Sequence, residues 1–155
     1  MEQQAGEIAA TTKPHHIRVV AICVFRRENS VLVFEGYDSV KGSHFFRPLG
    51  GGVEPGETSR AAVAREIEEE MDLHATDFVF LGVLENLFTL DGDPKHEIVF
   101  VYDGRFADES VYEREELNGY EANGAPLRAT WRRLDSFDEN QRLVPEGLGE
   151  MLRGA

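Results

Sequence analysis

The chain has 155 residues, 41% hydrophobic and 29% charged, a composition that fits one soluble globular domain and excludes a disordered or membrane-embedded polypeptide. Acidic residues number 29 against 16 Lys and Arg, and the formal charge of −13 argues against a grip on a nucleic-acid backbone, which needs basic side chains to displace counterions. No apolar run approaches the roughly 20 residues that span a bilayer. The lone Cys23 excludes an intrachain disulfide and a Cys-based zinc site, and a cytoplasmic location follows as the default.

Residues Met1 to His16 have neither a basic start nor an apolar middle, so they do not read as a secretory signal but as a loose arm ahead of one domain over residues 17–155. Ile17 to Arg26 and Val31 to Glu35 are apolar, β-branched runs separated by the polar turn Arg27-Glu28-Asn29-Ser30, which predicts two central strands in an antiparallel hairpin. Cys23 fits such a strand as a small buried hydrophobe. Gly36 to Gly42 reads as a loop, and His44 to Leu49 as a short aromatic strand that feeds the run Gly50-Gly51-Gly52. After Pro55-Gly56, Ser59 to Met71 is rich in Ala and Glu with no breaker, which predicts a helix with Thr58 as its N-cap. Phe78 to Leu90 and Glu97 to Tyr102 follow as strands around the turn Asp91-Gly92-Asp93-Pro94. Asp103 to Glu121 is partly helical by composition and leads into a surface excursion through Pro126; Ala129 to Leu134 reads as the last strand and Pro145 to Arg153 as a closing helix. Hairpins mixed with helices suit an α/β fold, a mixed β-sheet with helices packed on its faces.

The helix over 59–71 carries the chemistry. At about 100° per residue, Val63, Ile67, Met71 and Ala64 share an arc of about 100°, the expected buried face. Glu66, Glu69 and Glu70 occupy the adjoining arc, while Glu68 projects from the far side. Like charges at this spacing destabilise a helix by roughly 0.2–0.5 kcal/mol each, so three carboxylates at the edge of a core call for compensation. A hard divalent cation provides it, with backbone oxygens from the preceding glycine turn as further ligands. A solvated acidic face with Arg60 and Arg65 as partners is the alternative.

The spacing of Gly51, Glu57, Arg65, Glu66, Ile67, Glu69, Glu70 and Leu73 resembles the Nudix box, with Asp72 where the family has glycine. That glycine ends the helix, and Asp is among the residues that tolerate a left-handed conformation there. The resemblance implies a Nudix fold, an α/β/α sandwich with a mixed sheet. It implies Glu66, Glu69, Glu70 and the Gly50 carbonyl as ligands of Mg2+, or of Mn2+ in its place. It also implies Arg65 as an orienting salt-bridge partner and Glu57 as a supporting carboxylate, although helix-end capping and a surface pair would account for those two as well.

Nudix enzymes often recruit a further acid from outside the box, and Glu97, after His96, is the candidate here; an edge-strand carboxylate reads the same way. Arg47, between Phe46 and Pro48, could meet a substrate phosphate. Phe45, Phe46 and Phe88 could stack on a base, or belong to the core as strand aromatics do. The implied reaction is hydrolysis of a phosphoanhydride bond in a nucleoside diphosphate linked to another moiety, with Glu66 or Glu97 taking the proton from water. A non-hydrolytic nucleotide-binding regulatory module would predict a damaged box, whereas every carboxylate is present. A di-iron protein would need Glu-x-x-His pairs on long helices. The expected partner is a small nucleotide-type substrate, neither a nucleic-acid duplex nor a membrane, and a homodimer is left open.

Overall fold

The computed structural model describes residues 16–154, so the arm expected at the N-terminus lies, except for His16, outside the described residues. Strands dominate, divided between two mixed sheets. The first contains β1 (Ile17–Val24), β5 (Leu49–Gly52), β6 (Ala75–Leu90) and β7 (Asp93–Phe106) in the order β5-β1-β7-β6, with β1 and β7 parallel. The second has the order β10-β4-β3-β9-β8, formed by β3 (Ser30–Asp38), β4 (Ser43–Arg47), β8 (Glu116–Tyr120), β9 (Pro126–Arg133) and β10 (Arg142–Leu143), with the two-residue β2 (Arg26–Arg27) beside β3. Helix α1 (Ser59–Met71) packs on one side and α2 (Leu148–Gly154) on the other, which gives the α/β/α sandwich.

The hairpin expected of Ile17–Arg26 and Val31–Glu35 is split. Only Arg26–Arg27 turns back on Ser30–Val31, around Glu28 at φ 55°, while β1 joins the other sheet. The reason lies in its two apolar faces. Ala21 and Cys23 face the core under α1, and Val20, Ile22 and Val24 face the core between the sheets and α2, so this strand is stable only where both faces are covered.

Helix α1 begins and ends where the sequence places it. The Thr58 hydroxyl accepts from the Ala61 amide at 3.1 Å, and Asp72 closes the helix in the left-handed region at φ 53°, ψ 40° with its amide on the Glu68 carbonyl. Its buried residues are Ala62, Val63, Ile67 and Met71, with Ala64 only half-buried. The stripe is thus turned toward the glutamates, and Glu66 and Glu70 are drawn partly under the surface.

Several boundaries move. The β6–β7 turn shrinks from four residues to two, Asp91 at φ 52° and Gly92 at φ 84°, the positive-φ pair that matches the twist of a tight hairpin, and both strands lengthen accordingly. In the stretch read as a Gly36–Gly42 loop, β3 continues to Asp38 because Gly36 accepts the Phe45 ring directly over its backbone. The 103–121 segment holds a 3-10 turn, Glu109–Glu113, and β8. Strand β9 begins at Pro126 and is followed by β10; α2 starts only after Gly147, at φ 91°. Gly119 on β8 lies against the last turn of α1, where a Cβ would overlap the Glu70 carbonyl. Among the described residues no helix is long and apolar enough to cross a membrane.

Candidate active site

The glycine run before α1 is pressed from both sides. A Cβ at Gly50, whose φ is 150°, would overlap the Ala21 carbonyl of β1, and one at Gly51 would overlap the Glu66 carboxylate. Absence of side chains therefore brings the α1 carboxylates onto the backbone of β5. Arg65 fastens this loop to the helix. It makes a two-pronged contact with Glu57 (Nη2–Oε1 2.5 Å, Nε–Oε2 3.1 Å), donates to the Gly52 carbonyl at 3.0 Å, and reaches Glu66 at 3.0 Å and Glu69 at 3.2 Å. The Arg65 hydrogen bonds hold Glu57 below the usual carboxylate range, aided by the Glu54 amide, and Glu57 in turn strengthens the hold of Arg65 on its own proton.

Of the three carboxylates that the box implies as ligands, Glu66 and Glu70 are half-buried and Glu69 is exposed. Among the described residues no three His, Cys, Asp or Glu side chains stand in a metal-binding cluster. Glu69 is largely exposed and turned to Arg65, whose guanidinium lies within reach of both Glu66 and Glu69. Glu70 stays inward. Its Oε1 is buried with no hydrogen-bond partner among the described residues, and burial, reinforced by the Glu66 charge, pushes its pKa up to about 8 against the opposing pull of the Gly50 amide and Arg47. A buried orphan carboxylate oxygen beside a second carboxylate and a bare glycine backbone suits a hard divalent cation, so the residues present fit the ion that the box implies. Glu68 is exposed and pairs with His74 at 2.9 Å, away from this group as expected.

Beside the glycine turn a cleft of about 740 Å³ opens between the sheets. Across its floor, Glu97 on β7 stands opposite Arg18 on β1 and Asn86 on β6. Glu97 is buried and lies 3.8 Å from Arg18 and 3.7 Å from Arg47, so it is a floor residue rather than an edge-strand carboxylate. Burial draws Arg47 below the ordinary arginine value, opposed by Glu97. Phe45 and Phe88 line the cleft, whereas Phe46 is 3% exposed in the core, 4.2 Å beneath the Arg132 guanidinium. Neighbours on a strand point to opposite faces, so Phe46 cannot share the cleft with Arg47, and Phe45, two residues from Arg47, does. At the far end two turns from different sheets are clasped: Ser39 donates to Asp91 through its amide (2.8 Å) and hydroxyl (2.6 Å), and Lys41 donates to the Thr89 carbonyl at 3.0 Å.

The NUDIX domain family matches residues 14–150. The chain belongs to the Nudix family. Its fold is similar to a MutT Nudix hydrolase from Burkholderia pseudomallei (22% identity, TM-score 0.62, covering 91% of this chain and 100% of that one). It is also similar to a Nudix hydrolase from Nitrosomonas europaea (17%, 0.61, 89% and 87%) and to a UDP-X diphosphatase (17%, 0.57, 98% and 69%). No curated protein matches the sequence. Family membership with an intact set of box carboxylates makes the chain a pyrophosphohydrolase.

The box of this Nudix domain was readable from its spacing; of the cleft floor only Glu97 and Arg47 were singled out. Arg18 and Asn86 went unnoticed because each sits in an otherwise ordinary strand, and only pairing with β7 brings them beside Glu97.

Proposed function

We propose that this Nudix hydrolase cleaves the phosphoanhydride bond of a nucleoside diphosphate linked to another moiety and requires Mg2+, with Mn2+ as a substitute. The observation that carries the reading is the buried, unpartnered Glu70 Oε1 beside Glu66, next to a cleft of substrate size. Glu66, Glu69, Glu70 and the Gly50 carbonyl would hold the ion, Glu69 by exchanging its exposed contact with Arg65 for it. A divalent cation there supplies neutralisation of phosphate charge and acidification of water.

The protein's own residues do the rest. The cleft is lined by five Lys or Arg against four Asp or Glu in a chain whose net charge is −13, so it is the surface to which a polyphosphate is drawn. Arg18 and Arg47 meet the phosphate oxygens, which loosens their contact with Glu97. Glu97 or Glu66 then takes the proton of the attacking water. Arg65 and Glu57 hold the glycine loop, and Phe45 and Phe88 flank the base. The similarity to a UDP-X diphosphatase supports a nucleoside diphosphate derivative as substrate. Residues 17–155 act as one domain, in the cytoplasm, on a small molecule rather than on a nucleic-acid duplex or a membrane, alone or as a homodimer.

The test is a panel of nucleoside diphosphate sugars, dinucleoside polyphosphates and nucleoside triphosphates, with Mg2+, with Mn2+ and with a chelator. Release of a nucleoside monophosphate from a diphosphate-linked compound, abolished by chelation, is expected. Equal turnover in metal-free buffer, or no turnover of any member, overturns the proposal.

A further inference from the structure

The sheet of β1, β5, β6 and β7 has two faces, and only one of them is closed. Along β7, Val99 and Val101 are buried between the sheets and α2, whereas His96, Ile98 and Phe100, which point to the side of α1, are half-buried. Strand pairing extends that side in both directions. Ile17 and Val19 of β1 stand beside His96 and Ile98, and Val83 and Leu87 of β6 stand beside Phe100 and His96. Helix α1 covers the face as far as Ala21, Cys23 and Tyr102. Beyond that limit no described element closes it: Leu87 is 65% exposed, Ile17 60%, Phe80 49% and Val83 47%.

Isolated exposed apolar side chains are ordinary, but these adjoin across three strands and cover roughly 250 Å² of sheet at the usual strand spacing and rise. Phe80 joins the patch through its ring, 5.5 Å from Tyr102 and 6.2 Å from Phe100. Ile17, Val19 and Leu87 also line the mouth of the cleft, so substrate contact accounts for those three. It does not account for Phe80 and Val83, which lie outside the cleft lining. A contiguous apolar face with a polar rim has the anatomy of an interface, whose dry centre sits within about 800 Å² a side.

Charge and symmetry select the occupant. At a net charge of −13 two copies of this chain repel over most of their surfaces. In the stretches that form this face the carboxylate is Glu85, which is paired with His96 at 3.4 Å, and the nearest cation at the other end is Arg60, 5.6 Å over the Tyr102 ring. A contact between identical faces is isologous, so both members of an ion pair must lie on one copy, on opposite sides of the axis. That condition is met. Tyr102, beneath Arg60, lies two residues beyond Phe100 on β7, and Ile98, beside Glu85, lies two residues before it. A two-fold axis across the strands at Phe100 and Val83 turns Arg60 of each copy toward Glu85 of the other, with the apolar residues between them.

We infer that the open face of β1, β7 and β6 is the surface through which two copies of this chain form a two-fold homodimer, with the second copy at the mouth of the cleft. The inference chooses between the assembly states that the proposed function leaves open, and it rests on this face rather than on the chemistry of the site.

Sedimentation velocity of the full-length chain over a range of concentrations measures the mass in solution, with a melting temperature and a hydrolysis assay for each variant. Wild type should sediment with twice the mass of one chain, and Val83→Lys as a single chain with its melting transition retained. Arg60→Glu and Glu85→Arg should each raise the dimer dissociation constant at least about tenfold, because symmetry makes every change twice; the double exchange should restore it to within about threefold. These two positions are exposed, so they carry the test if Val83→Lys does not fold. Wild type with the mass of one chain at every concentration overturns the inference and leaves the face to another occupant. A dimer that Val83→Lys and both single exchanges leave unchanged is formed elsewhere and overturns it as well. Mass and hydrolysis are read separately, so failure of the dimer and failure of the hydrolase reading are distinguishable.

Discussion

The glycine loop with α1 and the cleft beside it adjoin but are held together in opposite ways. In the loop and helix, partners are close in sequence: Thr58 caps onto Ala61, Arg65 grips Glu57, Glu66, Glu69 and Gly52, and Asp72 closes on Glu68. In the cleft, Arg18, Arg47, Asn86 and Glu97 come from β1, β4, β6 and β7 of two sheets. The first arrangement is a local device that any fold presenting this segment could carry. The second exists only in the assembled sandwich, and it is where members of a family with one chemistry can differ in substrate.

The sharpest way to break this contrast is to change the charge of the local device without its shape. Glu70→Gln is expected to lower turnover at least about a hundredfold, because it removes a charge at the inferred ion site. The melting temperature of the metal-free variant should stay unchanged or rise, since repulsion with Glu66 is relieved. Activity near wild type, or a collapsed melting temperature, would show that Glu70 serves packing instead.

A smaller effect comes from two adjacent glycines. Gly50→Ala drives a Cβ into the backbone of β1 at φ 150°, and should lower stability by about 3 kcal/mol or more. Gly51→Ala meets only the end of the Glu66 side chain, which can swing aside; stability should change by less than about 1 kcal/mol while turnover falls by about tenfold. Chemical denaturation with parallel kinetics separates the two, and equal stability losses would contradict the placement of Glu66 over Gly51. The smallest effect is expected at Glu68, whose exposed pairing with His74 contributes little; Glu68→Gln should leave kcat/KM within about twofold and stability within about 0.5 kcal/mol.

The same contrast governs what could be read from the sequence. Helix α1 was legible to the residue, from the Thr58 cap to the left-handed Asp72, because caps and periodicity are local. The role of Arg65 followed from the family motif, and the structure adds the Gly52 carbonyl to its partners. What failed was long-range. The pattern of β1 announces a buried strand but not which sheet buries it, and it was assigned to the wrong neighbour. The aromatic character of Phe45, Phe46 and Phe88 carries no direction until the strands are paired, when Phe45 and Phe88 line the cleft and Phe46 enters the core.

Gly119 gives the segment after β7 a significance its appearance conceals. That stretch reads as partly helical and leads into a surface excursion, the kind of region in which substitutions accumulate freely. Yet its backbone is seated on the carbonyl of Glu70, and any side chain there would have to displace the turn that presents the inward-facing carboxylate. The last turn of α1 is thus indexed from behind by a backbone position on β8. At Gly119, contact with the last turn of α1 leaves no room for a side chain, so an inconspicuous strand position is closed to substitution.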